Sequence, residues 1–190
     1  VNTQSLFYLQ LGLNATVMKA APLPQNEDER LAELLSYDVL DTEAEQLFDD
    51  LTALASQICE TPIALISLID PNRQWFKSRV GLDAEETSRD IAFCSHAILQ
   101  SDVFEIPNAT LDPRFHDNPL VTGAPDIRFY AGAPLITPSG HAIGTLCAID
   151  SKPRKLTETQ KASLQTLSKS VVAHLELKRK NRELERTSQF

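Results

Sequence analysis

The chain predicts an α+β domain built on a central, mainly antiparallel sheet, and three observations carry that expectation. Ile63-Ala-Leu-Ile-Ser-Leu-Ile69 and Ile143-Gly-Thr-Leu-Cys-Ala-Ile149 are apolar on both sides of an extended chain, so each reads as a strand covered on both faces. The run from Ile127 to Asp150 carries Thr137-Pro-Ser-Gly140 at its middle, turn chemistry that folds it into a long hairpin. Two helical patterns precede the first strand and a long one follows the last, which places helices at both ends.

The elements follow in order. Residues 1–25 read as an N-terminal extension outside the core. Its stretch from Ser5 to Leu13 is apolar but far short of the ~20 residues of a membrane span, and Pro22 and Pro24 favour an extended connection. The domain proper spans 26–177. Glu27, Asp28 and Glu29 lead into Leu31, Leu34 and Leu35, an amphipathic helix with its acids at the favourable end, stopping near Tyr37. Asp41 and Thr42 are expected to cap a second helix whose Phe48, Leu51, Leu54, Ala55 and Ile58 recur at helical spacing. After the strand Ile63–Ile69, the turn Asp70–Arg73 returns the chain as Gln74–Val80, a more polar strand suited to an edge.

The middle, Gly81–Asp126, is the least regular part. It holds a short helix over Ile91–Leu99, a short strand over Val103–Ile106 and at most a turn or two of helix around Arg114–Asn118. In the long hairpin, Ile127, Phe129, Ala131, Ala133 and Leu135 alternate with Arg128, Tyr130 and Gly132. Thr157 and Gln160 have capping-box spacing at the start of the last helix. Leu164, Leu167, Val171 and Leu175 give that helix one docking face and leave Val172, Leu177 and Leu184 pointing elsewhere. Residues 178–190, of mixed charge, read as a helical extension or a linker to an output domain.

Composition removes several functions. With 18 Lys and Arg against 26 Asp and Glu, the 190-residue chain carries a formal charge of -8, which disfavours sequence-independent nucleic-acid binding. Cys59, Cys94 and Cys147 are far apart and odd in number, giving neither a disulfide framework nor zinc spacing, and free thiols predict a cytoplasmic protein. A chain that opens on Val1 rather than Met reads as a piece of a longer one.

Several motifs in order carry a family resemblance: Leu40-Asp-Thr, Pro62-Ile-Ala-Leu-Ile-Ser-Leu-Ile-Asp, Arg73-Gln-Trp-Phe-Lys-Ser, Phe93-Cys-Ser-His-Ala-Ile, Asp117-Asn-Pro-Leu-Val, Arg128-Phe-Tyr-Ala-Gly-Ala-Pro-Leu and Gly144-Thr-Leu-Cys-Ala-Ile-Asp. From about Asp28 to Leu177 the chain resembles the bacterial GAF sensory domains of histidine kinases and diguanylate cyclases. The resemblance implies terminal helices on one face of the sheet, with the irregular middle enclosing a small ligand pocket on the other. It also implies dimerisation through the terminal helices and relay to a kinase- or cyclase-type output domain, as in two-component signalling. Two ligand classes known in that family fit poorly. A covalent bilin needs a cysteine ahead of the long hairpin, and residues 116–126 hold none; Arg114 stands where some bilin-binding relatives place a second cysteine. The Asn-Lys-x-Phe-Asp-Glu signature of cyclic-nucleotide binders is also absent.

The candidate ligand-binding residues are therefore Phe93, Cys94, His96, Phe115, Arg128 and Tyr130, an apolar wall with a few polar groups that suits a small planar or anionic ligand. The alternative for the aromatics is a second core with no ligand, a dimerisation scaffold. Cys94 and Cys147 are expected to be reduced and inert because apolar burial raises a thiol's pKa; the alternative is a thiol-based redox enzyme or sensor. Cys94 and His96, two residues apart on a helix, point to different faces, so no shared metal and no catalytic residue is assigned. Val172, Leu177 and Leu184 are the candidate homodimer seam.

Overall fold

The computed structural model describes residues 18–189, so the apolar stretch from Ser5 to Leu13 lies outside the described residues. Six strands form one sheet in the order β3-β2-β1-β6-β5-β4, every neighbouring pair antiparallel. They are β1 (Ile63–Ile69), β2 (Arg73–Val80), β3 (Glu86–Ser88), β4 (Phe104–Ile106), β5 (Phe129–Ile136) and β6 (Ala142–Asp150). Five α-helices and two short 3-10 turns accompany them among the described residues, the α-helices being α1 (Glu27–Ser36), α2 (Gln46–Cys59), α3 (Cys94–Ala97), α4 (Pro119–Thr122) and α5 (Glu158–Ser188). Among these residues no helix is long and apolar enough to cross a membrane.

Strand alternation sorts the apolar residues into two cores. Ala64, Ile66 and Leu68 of β1 join Phe129, Ala131, Ala133 and Leu135 of β5 under α1, α2 and α5. Ile63, Leu65 and Ile69 face the other way and meet Phe93, Phe115, Tyr130, Cys147 and Ile149 beneath the irregular middle. Both faces of β1 are buried along its whole length, as its uninterrupted apolar run requires.

Local chemistry departs from the sequence expectation at several points. Asp41 and Thr42 do not cap α2, which starts at Gln46 after an extended Glu45. Asp41 instead pairs with Arg73 (2.8 Å), and the Thr42 hydroxyl accepts from the Lys77 ammonium (2.7 Å), so long-range partners win over local capping. Those bonds explain why β2 is no open edge despite its polar residues. Lys77 is only 3 % exposed, ion-paired with Glu45 (2.8 Å), and β3 covers the far side of Arg73–Trp75. The helix expected over Ile91–Leu99 is a 3-10 turn at Arg89–Ile91 followed, after an extended Ala92, by the single turn of α3. The chain around Arg114 makes only turns; the helical turn lies later, at α4, where Asn118 accepts from Leu120 N and Pro119 fills the first position. Ile127 sits in the second core rather than beside Phe129, because β5 begins at Phe129, after a left-handed Asp126 (φ 58°).

α5 starts at the capping box foreseen, with Gln160 N donating to Thr157 Oγ1 (3.1 Å) and Thr157 N to Gln160 Oε1 (2.9 Å). Thr157→Ala is expected to cost about 1 kcal/mol, read as a shift in urea midpoint with unchanged slope. Val172 is corrected: it is 7 % exposed and packs in the first core. Beyond Leu175 the helix is held on the domain by cations. Lys178 pairs with Glu45, Arg179 lies over the Tyr37 ring (4.5 Å) and bonds Ser36, and Arg182 donates to the Tyr37 carbonyl at the end of α1.

Candidate functional site

Between the inner face of the sheet and the middle segment lies a cavity of about 380 Å³. Ile63, Leu65 and Phe76 from β1 and β2, with Tyr130 and Ile149 from β5 and β6, make its floor. Leu82, Phe93, Leu120 and Ile127 cover it, while Gln74, Asp83, Thr87 and Cys94 supply polar atoms. This size and an apolar wall with few polar groups are the ordinary traits of a small-molecule pocket.

Three of the six candidate residues, Phe93, Cys94 and Tyr130, line this cavity. Phe115 lies behind them, its ring stacked on Phe93 at 4.2 Å and fully buried. His96 continues that layer away from the cavity, edge-on to Phe115 (4.7 Å) and parallel to Phe104, and burial together with the nearby Arg114 holds its imidazole below the usual range. Arg114, ion-paired with Asp112 (2.8 Å), caps the aromatic layer 5.1 Å from the Phe104 ring. Arg128 is a strap, since its guanidinium donates to the carbonyls of Val121 (2.9 Å) and Ile127 (3.1 Å) and anchors α4 over the sheet. Phe115, His96 and Arg128 thus support the wall and do not line it.

Sequence reasoning missed Leu65, Gln74, Phe76, Asp83 and Thr87 of the wall. For Leu65 the signal was there, because in a strand apolar on both faces alternate residues must face the covering segment. For Gln74 it was not. Its side chain is buried by long-range bonds, accepting from Ser67 (3.0 Å) and donating to Thr87 (2.6 Å).

Behind the cavity wall at Cys94 and Tyr130 lies a cluster of thiols and hydroxyls. The Cys94 sulfur accepts from Thr145 (3.0 Å) and Tyr130 (3.2 Å), and Cys147 lies within hydrogen-bonding reach of it. Ser67 is also in reach, its own proton directed to Gln74. Burial opposes the charged form of Cys94, but the polar groups gathered round its sulfur, Cys147, Ser67, Thr145 and Tyr130, outweigh it and hold the thiol below its usual range. The expectation that burial alone sets the Cys94 thiol is therefore corrected. Cys147, through the neighbouring Cys94 and its burial, and Tyr130, through burial and the adjoining sulfurs, are pushed up. Gly132 makes this possible, since a Cβ there would stand 2.3 Å from the Tyr130 hydroxyl.

A sheet with helices on one face and a pocket under an irregular cover on the other defines an α+β module with a covered cavity. The chain belongs to the GAF domain family, whose model matches residues 43–175. It is 46 % identical over 159 residues to a cyclic di-GMP phosphodiesterase of Pseudomonas aeruginosa, covering 83 % of this chain and 27 % of that protein. The chain thus spans about a quarter of that relative's length. Among solved structures, the GAF domain of an Acinetobacter phosphoenolpyruvate-protein phosphotransferase superposes with a TM-score of 0.57 at 16 % identity, covering 81 % of this chain and 95 % of that one. The free methionine-R-sulfoxide reductase of Neisseria meningitidis gives 0.59 at 16 % identity over 86 % and 99 % of the two chains. At such identities these structures show a shared fold.

Proposed function

We propose that this chain is the non-catalytic sensory module of a cyclic di-GMP signalling protein, binding a small ligand in the cavity and passing the bound state through α5 to an output domain. The cavity itself carries the reading: about 380 Å³ of mostly apolar space, covered by a segment that joins the sheet only through its two three-residue strands, β3 and β4, and a few turns. The extensive identity to part of a cyclic di-GMP phosphodiesterase supports an output domain of that chemistry. The apolar wall, with Cys94, Gln74 and Thr87 as its polar points, suits a compact, mostly apolar ligand with one or two hydrogen-bonding groups.

The test is native mass spectrometry of the purified chain beside Leu65→Trp, which fills the floor of the cavity. The expected result is a small molecule released from the wild type and missing from the variant, with the same circular dichroism for both. A wild type that yields no bound species, and whose unfolding midpoint no small-molecule library shifts, would leave the scaffold reading.

Dimerisation is part of the proposal. Leu177 and Leu184, 55 % and 67 % exposed, lie two helical turns apart on one face of α5. That spacing fits a two-helix seam flanked by the mixed charges of 178–186. Leu177→Lys with Leu184→Lys is expected to convert a dimer to a monomer in sedimentation at tens of micromolar. A wild type that runs as a monomer there excludes the seam.

A further inference from the structure

We propose that Cys94 and Cys147 form a dithiol that small hydroperoxides oxidise, Cys94 meeting the oxidant from the cavity and Cys147 closing a disulfide behind it. The geometry separates the two roles. Cys94 is one of the residues that line the cavity, so the cavity gives a small molecule its route toward this thiol. Cys147 is fully buried in β6 and is not part of that lining. Thr145 and Cys147 are two apart on one strand and so present their side chains to the same face, beneath α3. Opposite Cys147 in β5 stands Gly132, whose missing side chain leaves room for the Tyr130 hydroxyl to reach the Cys94 sulfur.

The donors around Cys94 favour its thiolate, the form that attacks. The Cys94 thiolate bonds to one peroxide oxygen and the O–O bond breaks. The departing alkoxide, or hydroxide from hydrogen peroxide, takes up the proton given off when Cys94 ionised and leaves as alcohol or water. Cys94 is now a sulfenic acid. The Cys147 sulfur then attacks the Cys94 sulfur, the S–O bond breaks, and the hydroxyl leaves with the Cys147 proton as water. Two thiols have lost two electrons and the hydroperoxide has gained them. The disulfide ties α3, in the cover of the cavity, to the strand that leads into α5.

Cys59 is an internal control. It is buried in the other core, and burial pushes its thiol up to about 11. The full chain is exposed to hydrogen peroxide, quenched by alkylation, unfolded and digested. The expected product is a Cys94–Cys147 linked peptide about 2 Da lighter than the two reduced peptides together, with Cys59 still free. Cys147→Ser is expected to stop at a Cys94 sulfenic acid trapped by dimedone, and Cys94→Ser to leave Cys147 reduced. Tyr130→Phe keeps the ring, removes one donor and is expected to slow oxidation of Cys94 about tenfold, with circular dichroism confirming that the chain is folded. The proposal is overturned if Cys94 remains fully alkylatable under peroxide that oxidises half of a free cysteine in the same tube. It is equally overturned if Cys147→Ser leaves the wild-type oxidation product unchanged. Neither result bears on ligand binding, which the Leu65→Trp comparison tests separately.

Discussion

Gly144→Ala is expected to lower unfolding stability by about 3 kcal/mol, the upper range for overpacking a filled interior. Gly144 lies in β6 between β1 and β5, opposite Leu68 on one side and Leu135 on the other. A Cβ built there meets the Ser67 carbonyl oxygen at 1.9 Å and the Leu68 Cα at 3.0 Å. These are backbone atoms of a central strand, so no rotamer change relieves the clash; β1 and β6 must separate locally, and ladder bonds weaken with them. Gly140→Ala is the matched control. Its φ of +87° carries a left-handed penalty of about 1 kcal/mol, but nothing lies within 4 Å of the added carbon. Urea unfolding of both variants decides it. A Gly144→Ala chain as stable as Gly140→Ala would mean that the central ladder has slack the geometry does not show.

Glu27→Ala is expected to cost about 3 to 5 kcal/mol, because it strands two buried arginines. The carboxylate accepts from Arg30 Nε (2.9 Å) and Arg89 Nη1 (2.5 Å). Arg30 also donates to the Ile69 carbonyl (2.8 Å) and Arg89 to the Asp70 carbonyl (3.0 Å). One carboxylate therefore joins the start of α1, the end of β1 and the 3-10 turn that leads to Cys94.

Burial raises the Glu27 carboxyl, but the hydrogen bonds and charges of Arg30 and Arg89 prevail and lower it from 4.5 to about 2. With the folded-state value below the unfolded one, the folded chain holds fewer protons between them, so this contribution is complete above pH 4.5. It falls away as the pH drops toward 2. The gap in urea midpoint between wild type and Glu27→Gln should accordingly narrow over that window. A gap independent of pH would show that packing, and not the carboxylate's charge, holds the junction.

Periodicity and turn chemistry by themselves determined the antiparallel hairpins, the buried β1 and β6, the helices at both ends and the Thr157 cap. Each depends on neighbours a few residues away, or on an apolar run that admits burial on both faces only. The family resemblance added the pocket and its location, and Phe93, Cys94 and Tyr130 do line the cavity. Only the tertiary structure decided what was settled by partners distant in the chain. Asp41 pairs with Arg73 instead of capping α2, Lys77 is buried because Glu45 and Thr42 meet it, and Val172 packs in the core. Arg128 spends its guanidinium on the carbonyls of Val121 and Ile127, which no spacing in the sequence reveals. The thiol cluster is the clearest case. Cys94 and Cys147 are 53 residues apart, and each alone reads as a small apolar filler. The one-turn α3 folded over β6 brings their sulfurs together under Tyr130 and Thr145, because Gly132 leaves the space for it.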